Sequence, residues 1–291
     1  GPCRRRRGHG TCLGRGSAGA TLTHPRAPKG NPGFEPRNPS FVLRCRRAWP
    51  GCSRHYRAVL CSELKQPLAI EEVAPRPVGP HEVRVDVHFS GVKFADILVC
   101  RGQYQEKPRL PFIPGVEFSG IVLETGRDVH TVKEGDRVIG LRRLNCMAGE
   151  CIIDHKALWQ IPEGISFREA AVLPASYNTA ILALEHRART QPGLAWEGRI
   201  VVVGFAGGTI ASVPANLLLL KNISAMGIFG VRYQGQNFPV FSRALSSAIQ
   251  YCLEGRIHPY IGAVFKLEEV NDAFLYVINR TSMGKVLLSL K

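Results

Sequence analysis

The chain is expected to fold as a small antiparallel β-barrel followed by an α/β segment whose parallel sheet is incomplete. Three observations predict this. From Tyr56 to about residue 165 the sequence runs as short β-branched segments separated by Pro, Gly and charge. From Ser166 onward helical patterns take over. Beyond Gly193 strand-like runs alternate with amphipathic helices, which points to a parallel α/β sheet, but only 98 residues remain there. Each βαβ unit takes roughly 30 residues or more, so a six-stranded dinucleotide sheet needs about 130–150. The expected division is a basic extension over 1–55, a barrel over 56–165, and an incomplete α/β part with a C-terminal return segment over 166–291.

The extension holds most of the charge. Residues 1–57 carry 13 Lys/Arg and one acid, Glu35, whereas residues 58–291 carry 25 basic and 22 acidic residues. Three readings stay open for this part. It is Arg-rich and acid-poor like an organelle-targeting segment. Its charge also suits an arm for nucleic acid or an anionic surface, and it can be sequence translated from upstream of the true start. Any binding to RNA, DNA or anionic lipid is expected to reside in residues 1–57. No run of 18 apolar residues occurs, so no membrane span is expected. Nine cysteines are dispersed without a C-x-x-C, which suggests core packing in a reducing compartment, cytoplasmic or mitochondrial rather than secreted.

The elements read in order as follows. "YRAVLCSEL", "LAIEEVAP", "HEVRVDVHFSGV", "FSGIVLETG", "DRVIGL" and "CIIDHKALWQIP" are the barrel strands, and "GRDVHTVKEGDRVIG" reads as strand, Gly-Asp turn and strand. Ser166 and Glu169 form a capping box at the head of "SFREAAVLP", Pro174 interrupts it, and "SYNTAILALEHRA" continues as a helix. "RIVVVGF" is a continuous apolar run suited to a strand buried on both faces. In "NFPVFSRALSSAIQYCLEG", Val240, Phe241, Ala244, Leu245, Ala248, Ile249 and Cys252 fall on one helical face, with Pro239 near the start and Gly255 at the stop. "IGAVFKL" is a strand, "EEVNDAFLYVIN" a helix with acids in its first turn, and "GKVLLSL" a last strand.

The segments "HEVRVDVHFSGVKFADILVCRGQY", "LPFIPGVEFSGIV", "VKEGDRVIG", "EAAVLPASYNTAILAL", "VNDAFLYVI" and "GKVLLSL" together resemble the zinc-free medium-chain reductases of the quinone-oxidoreductase (zeta-crystallin) group. The resemblance implies a GroES-like barrel domain joined to a Rossmann-type domain, with NADPH between them. It also implies a small quinone or α,β-unsaturated carbonyl as substrate and a homodimer. In such reductases the helix ending at a "QPG" turn leads into a strand and a glycine-rich turn. Here Gly193 is followed by "LAWEGRIVVVGF", which resembles a later strand of that domain. By the βαβ count roughly 80 residues are missing, among them the pyrophosphate loop. Their loss is expected to leave "RIVVVGF" and "GKVLLSL" with exposed faces and unpaired edges, and to impair NADPH binding. A cofactor-defective interaction module or a non-functional isoform is the alternative.

The candidate site residues follow from the same comparison. The family's N-x-x-D motif after the third strand reads Lys93-Phe94-Ala95-Asp96 here, so a longer cation stands in place of the Asn amide. Lys93 either donates a hydrogen bond to a substrate carbonyl or points to solvent, Asp96 orders the loop, and Tyr104 either walls the substrate site or packs in the core. Thr179 falls on the helix that faces the cofactor in relatives. Gly204, Phe205, Gly207 and Gly208 line the nicotinamide end. As a phosphate loop "VVVGFAGG" reads poorly, because Pro214 confines any following helix to a short piece, and no Asp or Glu occurs from Gly198 to Leu253. Zinc is not expected: zinc-dependent relatives place a His-Glu pair where this chain has Val116-Glu117, and "LRRLNCMAGEC" lacks the spacing for four thiolates. His88, His130, His155, His186 and His258 read as surface or packing residues.

Overall fold

Strict alternation makes β3 (Glu82–Val92) a half-buried strand: Val83, Val85 and Val87 point into the core, while Arg84, Asp86 and His88 lie on the other face. It is the hub of the barrel. The computed structural model describes residues 55–188, 197–205, 210 and 212–291, all within a unit that spans Asn38–Lys291. The expected extension over 1–55, the "QPG" turn, and Gly207 and Gly208 lie outside the described residues, apart from His55.

Around β3 the chain places β1 (Tyr56–Leu60), β2 (Ala69–Val73), β4 (Glu117–Thr125), β5 (Arg137–Leu141), β6 (Glu150–Asp154) and β7 (Leu158–Gln160). β1 and β2 form a separate antiparallel pair. β4 and β6 both pair antiparallel with β3, and β5 links β4 to β7. Gly140 in β5 is obligatory, since a Cβ there would lie 2.1 Å from Cζ of the buried Phe118 ring. Helix α1 (Phe94–Cys100) leaves the end of β3.

The helical part begins as expected. The Ser166 hydroxyl accepts from the Glu169 amide at 3.2 Å, and the Glu169 carboxylate accepts from the Ser166 amide at 3.0 Å, capping α2 (Phe167–Ala170). Pro174 then sits in a wide π-helical turn (Leu173–Tyr177), followed by α3 (Asn178–Ile181) and a second π-helical stretch (Leu182–Ala188). Next come β8 (Arg199–Val202), α4 (Ala215–Lys221), β9 (Ser224–Gly227), α5 (Gly230–Gln236) and α6 (Phe238–Leu253). α6 buries Phe241, Ala244, Leu245, Ala248 and Ile249, with Val240 and Cys252 half-buried, on the face that its periodicity predicts. Leu245, Ala248 and Ile249 meet Ile139 and Leu173, which ties the helices to β5. β10 (Ile261–Lys266), α7 (Val270–Ile278) and β11 (Lys285–Ser289) close the chain.

Three expectations are corrected. "GKVLLSL" does not depend on the α/β sheet. β11 runs antiparallel to β3 and parallel to β10, extending the barrel sheet, and Val286, Leu287 and Leu288 are buried. An apolar run reports burial on both faces but not which sheet supplies the neighbours. "RIVVVGF" lacks the burial on both faces that its apolar run suggests and has the exposed face expected from the missing segment. Among the described residues β8 pairs only with β9, parallel, and Ile200 is 42% exposed, as a two-stranded ribbon without a further strand allows. Finally, "GRDVHTV" is not a strand. Pairing of β4 ends at Thr125, and the chain turns there, with the Gly126 amide on Glu82 O and the Asp128 amide on Pro80 O. Val129 and Val132 instead plug the barrel core.

Candidate active site

The barrel gathers ionisable groups where β3, β4 and β11 adjoin the π-helical turn. Lys93 is the last residue before α1, and Asp96 turns back to cap it: Oδ2 accepts from the Lys93 amide at 2.9 Å. Asp96 is only 3% exposed. Burial pushes its carboxyl up to about 6, against the opposing pull of Lys93 and Lys285 and with a smaller push from Glu117. Tyr104 is half-buried, and its phenol is raised by burial and then by the negative charges of Glu106 and Asp96. Lys93, Asp96 and Tyr104 therefore share one electrostatic neighbourhood.

Sequence presents Glu117 only as the neighbour of an absent zinc ligand, yet it is the most enclosed charge of the site. It is fully buried on β4. Oε1 accepts from Lys285 Nζ at 3.2 Å and Oε2 from the Ala175 amide at 2.8 Å. Lys285 Nζ also donates to Ser176 Oγ at 3.0 Å, and Ser90 Oγ donates to the Glu117 carbonyl at 3.0 Å. This network joins β3, β4, β11 and the π-helical turn. Gly91 makes room for it, because a Cβ there would lie 2.5 Å from Glu117 Oε1. The available signal is the pairing of one acid in "PGVEFSG" with the lysine of "GKVLLSL", which sequence separation conceals.

Thr179 is half-buried and faces α5: a Cβ on Gly230 would meet its Oγ1 at 2.5 Å. Beside it, Asn178 is 1% exposed, and neither amide atom has a hydrogen-bond partner among the described residues. Sequence reasoning misses this residue, since an Asn inside a helix carries no pattern of its own. Gly204 and Phe205 stand apart from the barrel cluster. Both are exposed beyond the end of β8, and a Cβ on Gly204 would meet nothing within 4 Å.

A dinucleotide needs a helix that opens directly at a strand end, so that its first amides and its dipole hold the pyrophosphate. The described residues at the end of β8 do not fit that requirement, and the helix that opens two residues after β9, α5, runs for only seven residues. The next described helix after β8 is α4, which begins only at Ala215, has Pro214 before it, runs for seven residues and buries none of them. The metal reading can be tested on donors. Among the described residues, no group of three or more His, Cys, Asp or Glu is placed to hold an ion, and Glu117 is engaged by Lys285. His88 stacks on Phe167 at 4.5 Å, and His155 Nδ1 lies 3.0 Å from Thr131 Oγ1.

Comparison with known proteins fits this arrangement. Residues 79–183 match the model of the alcohol dehydrogenase GroES-like domain. The chain is 56% identical over 335 residues to quinone oxidoreductase-like protein 2 of Bos taurus, covering 85% of this chain and 96% of that protein. It is 53% identical over 338 residues to the Mus musculus protein of the same name, covering 86% and 97%. Because 85% of 291 residues is about 247, close to 90 positions of the bovine alignment have no counterpart here. Among solved structures, the quinone oxidoreductase of Thermus thermophilus, also determined in complex with NADPH, superposes with a TM-score of 0.70 at 23% identity, covering 80% of this chain and 99% of that one. The human synaptic vesicle membrane protein VAT-1 homolog-like protein gives 0.74 at 19% identity, covering 81% and 98%. The chain thus belongs to the quinone oxidoreductase group of the medium-chain dehydrogenase/reductases.

Proposed function

We propose that this chain descends from an NADPH-dependent, zinc-independent reductase of quinones or α,β-unsaturated carbonyls. It keeps the barrel half of the site and binds the cofactor poorly. In this reading Lys93 presents a cation to the substrate carbonyl, Asp96 holds Lys93 at the head of α1, and Tyr104 walls the substrate. Thr179, Gly204, Phe205, Gly207 and Gly208 are what remains of the cofactor side. The division into 1–55, 56–165 and 166–291, a cytoplasmic or mitochondrial location, a homodimer, and nucleic-acid contact only through residues 1–57 belong to the same proposal.

The observation that carries it is the two-stranded β8–β9 ribbon, in which no described helix opens at the end of β8 before Ala215. We place the unmatched positions of the bovine alignment after Gly193. Calorimetry with NADPH tests the reading. The chain as it stands should bind more weakly than about 1 mM, and a variant carrying the relative's segment after Gly193 should reach the micromolar range. Micromolar binding by the unaltered chain would overturn it and would place the phosphate grip on "GFAGG", Arg199 or Arg232. A second reading, an interaction module without cofactor, is favoured by the strong exposure of Ile210, Leu219 and Leu220. Binding of a protein partner with no NADPH response in either variant would select it.

A further inference from the structure

The loop after α1 carries an unbalanced charge beside the candidate site. α1 ends in a reversing turn: the Arg101, Gly102 and Gln103 amides donate to the Ile97, Val99 and Leu98 carbonyls at 3.0, 3.0 and 2.8 Å, and Gly102 takes a φ of 68°. The chain is thereby sent back, and Tyr104 comes under the charge of Asp96. From Arg101 to Arg109 the loop holds three cations, Arg101, Lys107 and Arg109, and one acid, Glu106. Glu106 is engaged, since Arg143 Nη1 lies 3.2 Å from its Oε1. Arg101, Lys107 and Arg109 are exposed, and their side chains form no ion pair or hydrogen bond among the described residues. With Arg143 the patch has four cations and one acid, an excess of three, which equals that of all residues 58–291 together (25 basic, 22 acidic). The cluster at the head of α1 does not offset it, because Lys93 and Lys285 there face Asp96 and Glu117.

We propose that the acceptor taken by this site is an anion, a quinone or α,β-unsaturated carbonyl bearing a carboxylate, sulfonate or phosphate, and that Arg101, Lys107 and Arg109 select it. The proposal rests on the reductase reading above, in which Lys93 meets the carbonyl. α1 separates Lys93 from Arg101 by about 12 Å at 1.5 Å per residue, so a charged group on the far side of a small ring system comes within range of the loop. Exposed cations act through water and each does little. A cation about 10 Å from the bound anion favours it about twofold, and three together about eightfold at low salt. The same field speeds the encounter with anions. Salt removes both effects, because the Debye length falls from about 30 Å at 10 mM to about 8 Å at 150 mM.

The test is equilibrium dialysis of the full chain, without NADPH, against two quinones that share one ring system: anthraquinone-2-sulfonate and the neutral 2-(hydroxymethyl)anthraquinone. At 10 mM salt the sulfonate should bind about eightfold more tightly, and at 150 mM the preference should shrink to about twofold or less. R101Q/K107Q/R109Q should abolish the preference. R127Q/K133Q/K156Q is the matching control. It removes three exposed cations around the opposite end of the barrel, where β4 reaches Thr125 about 27 Å from Glu117, and it should keep the preference. Equal binding of the two quinones by the unaltered chain would overturn the proposal and leave the reductase reading standing, whereas binding of neither would overturn both. A preference that survives R101Q/K107Q/R109Q would belong to the basic residues 1–57 and would also overturn the proposal. So would displacement of the sulfonate by adenosine 2′,5′-bisphosphate, which would assign these cations to the cofactor's phosphates. The unaltered chain decides the first point even where a variant fails to fold.

Discussion

Replacing Asp96 by Asn should stabilise the fold at neutral pH and have little effect at pH 4. Burial raises the Asp96 carboxyl from its ordinary 3.8 to about 6. A raised acid binds its proton more tightly in the folded state than in the unfolded one. Its penalty is therefore absent below the unfolded value, grows as pH rises from about 4 to 6, and is complete above that. One pH unit of displacement is worth about 1.4 kcal/mol, so the ionised carboxylate costs about 3 kcal/mol at pH 7.5. Asn keeps an oxygen that can accept from the Lys93 amide, so the cap of α1 survives the change. The groups facing Asp96 are Lys93, Glu117 and Lys285, and none of them is altered. Urea unfolding of both proteins across pH 4–8 gives the result as a difference, in which the other titrations cancel. Stability of D96N minus wild type should rise from near zero to about 3 kcal/mol, with unchanged urea slopes. A difference that is flat, or that falls as pH rises, would refute the reasoning and mean that Asp96 stays ionised through a stronger partner.

Lys285→Met leaves Glu117 fully buried without its cation, and should cost about 3 kcal/mol, with much of that recovered in the K285M/E117L double variant; urea unfolding checks both, and a loss under about 1 kcal/mol would contradict the buried-pair reading. Asn178→Leu replaces two unpartnered buried amide atoms by a side chain of similar size and should be neutral or stabilising by about 1 kcal/mol, whereas clear destabilisation in the same assay would reveal a partner for the amide. Metal analysis after dialysis should find less than about a tenth of an equivalent of zinc, because Val116 stands where zinc-dependent relatives place a histidine and Glu117 is held by Lys285; one tightly held zinc per chain would count against this.

The alternation in β3, the Ser166–Glu169 cap and the apolar stripe of α6 are local patterns, and each forms where the sequence places it. Local patterns register which face of an element is buried, because side-chain direction follows from backbone periodicity alone. They do not register which neighbour does the burying. For that reason "GKVLLSL" reads as part of the parallel sheet although β11 pairs with β3, and "RIVVVGF" reads as doubly buried although β9 is the one described strand that pairs with β8. The site divides in the same way. Lys93 and Asp96 are legible because they sit three residues apart in a recognisable motif. The Glu117–Lys285 bond, by contrast, spans 168 residues. Sequence by itself determined the kinds of most elements and the Ser166–Glu169 cap. Only tertiary structure decided which charges share low-dielectric space, because that depends on how distant strands pair and on what they exclude from water.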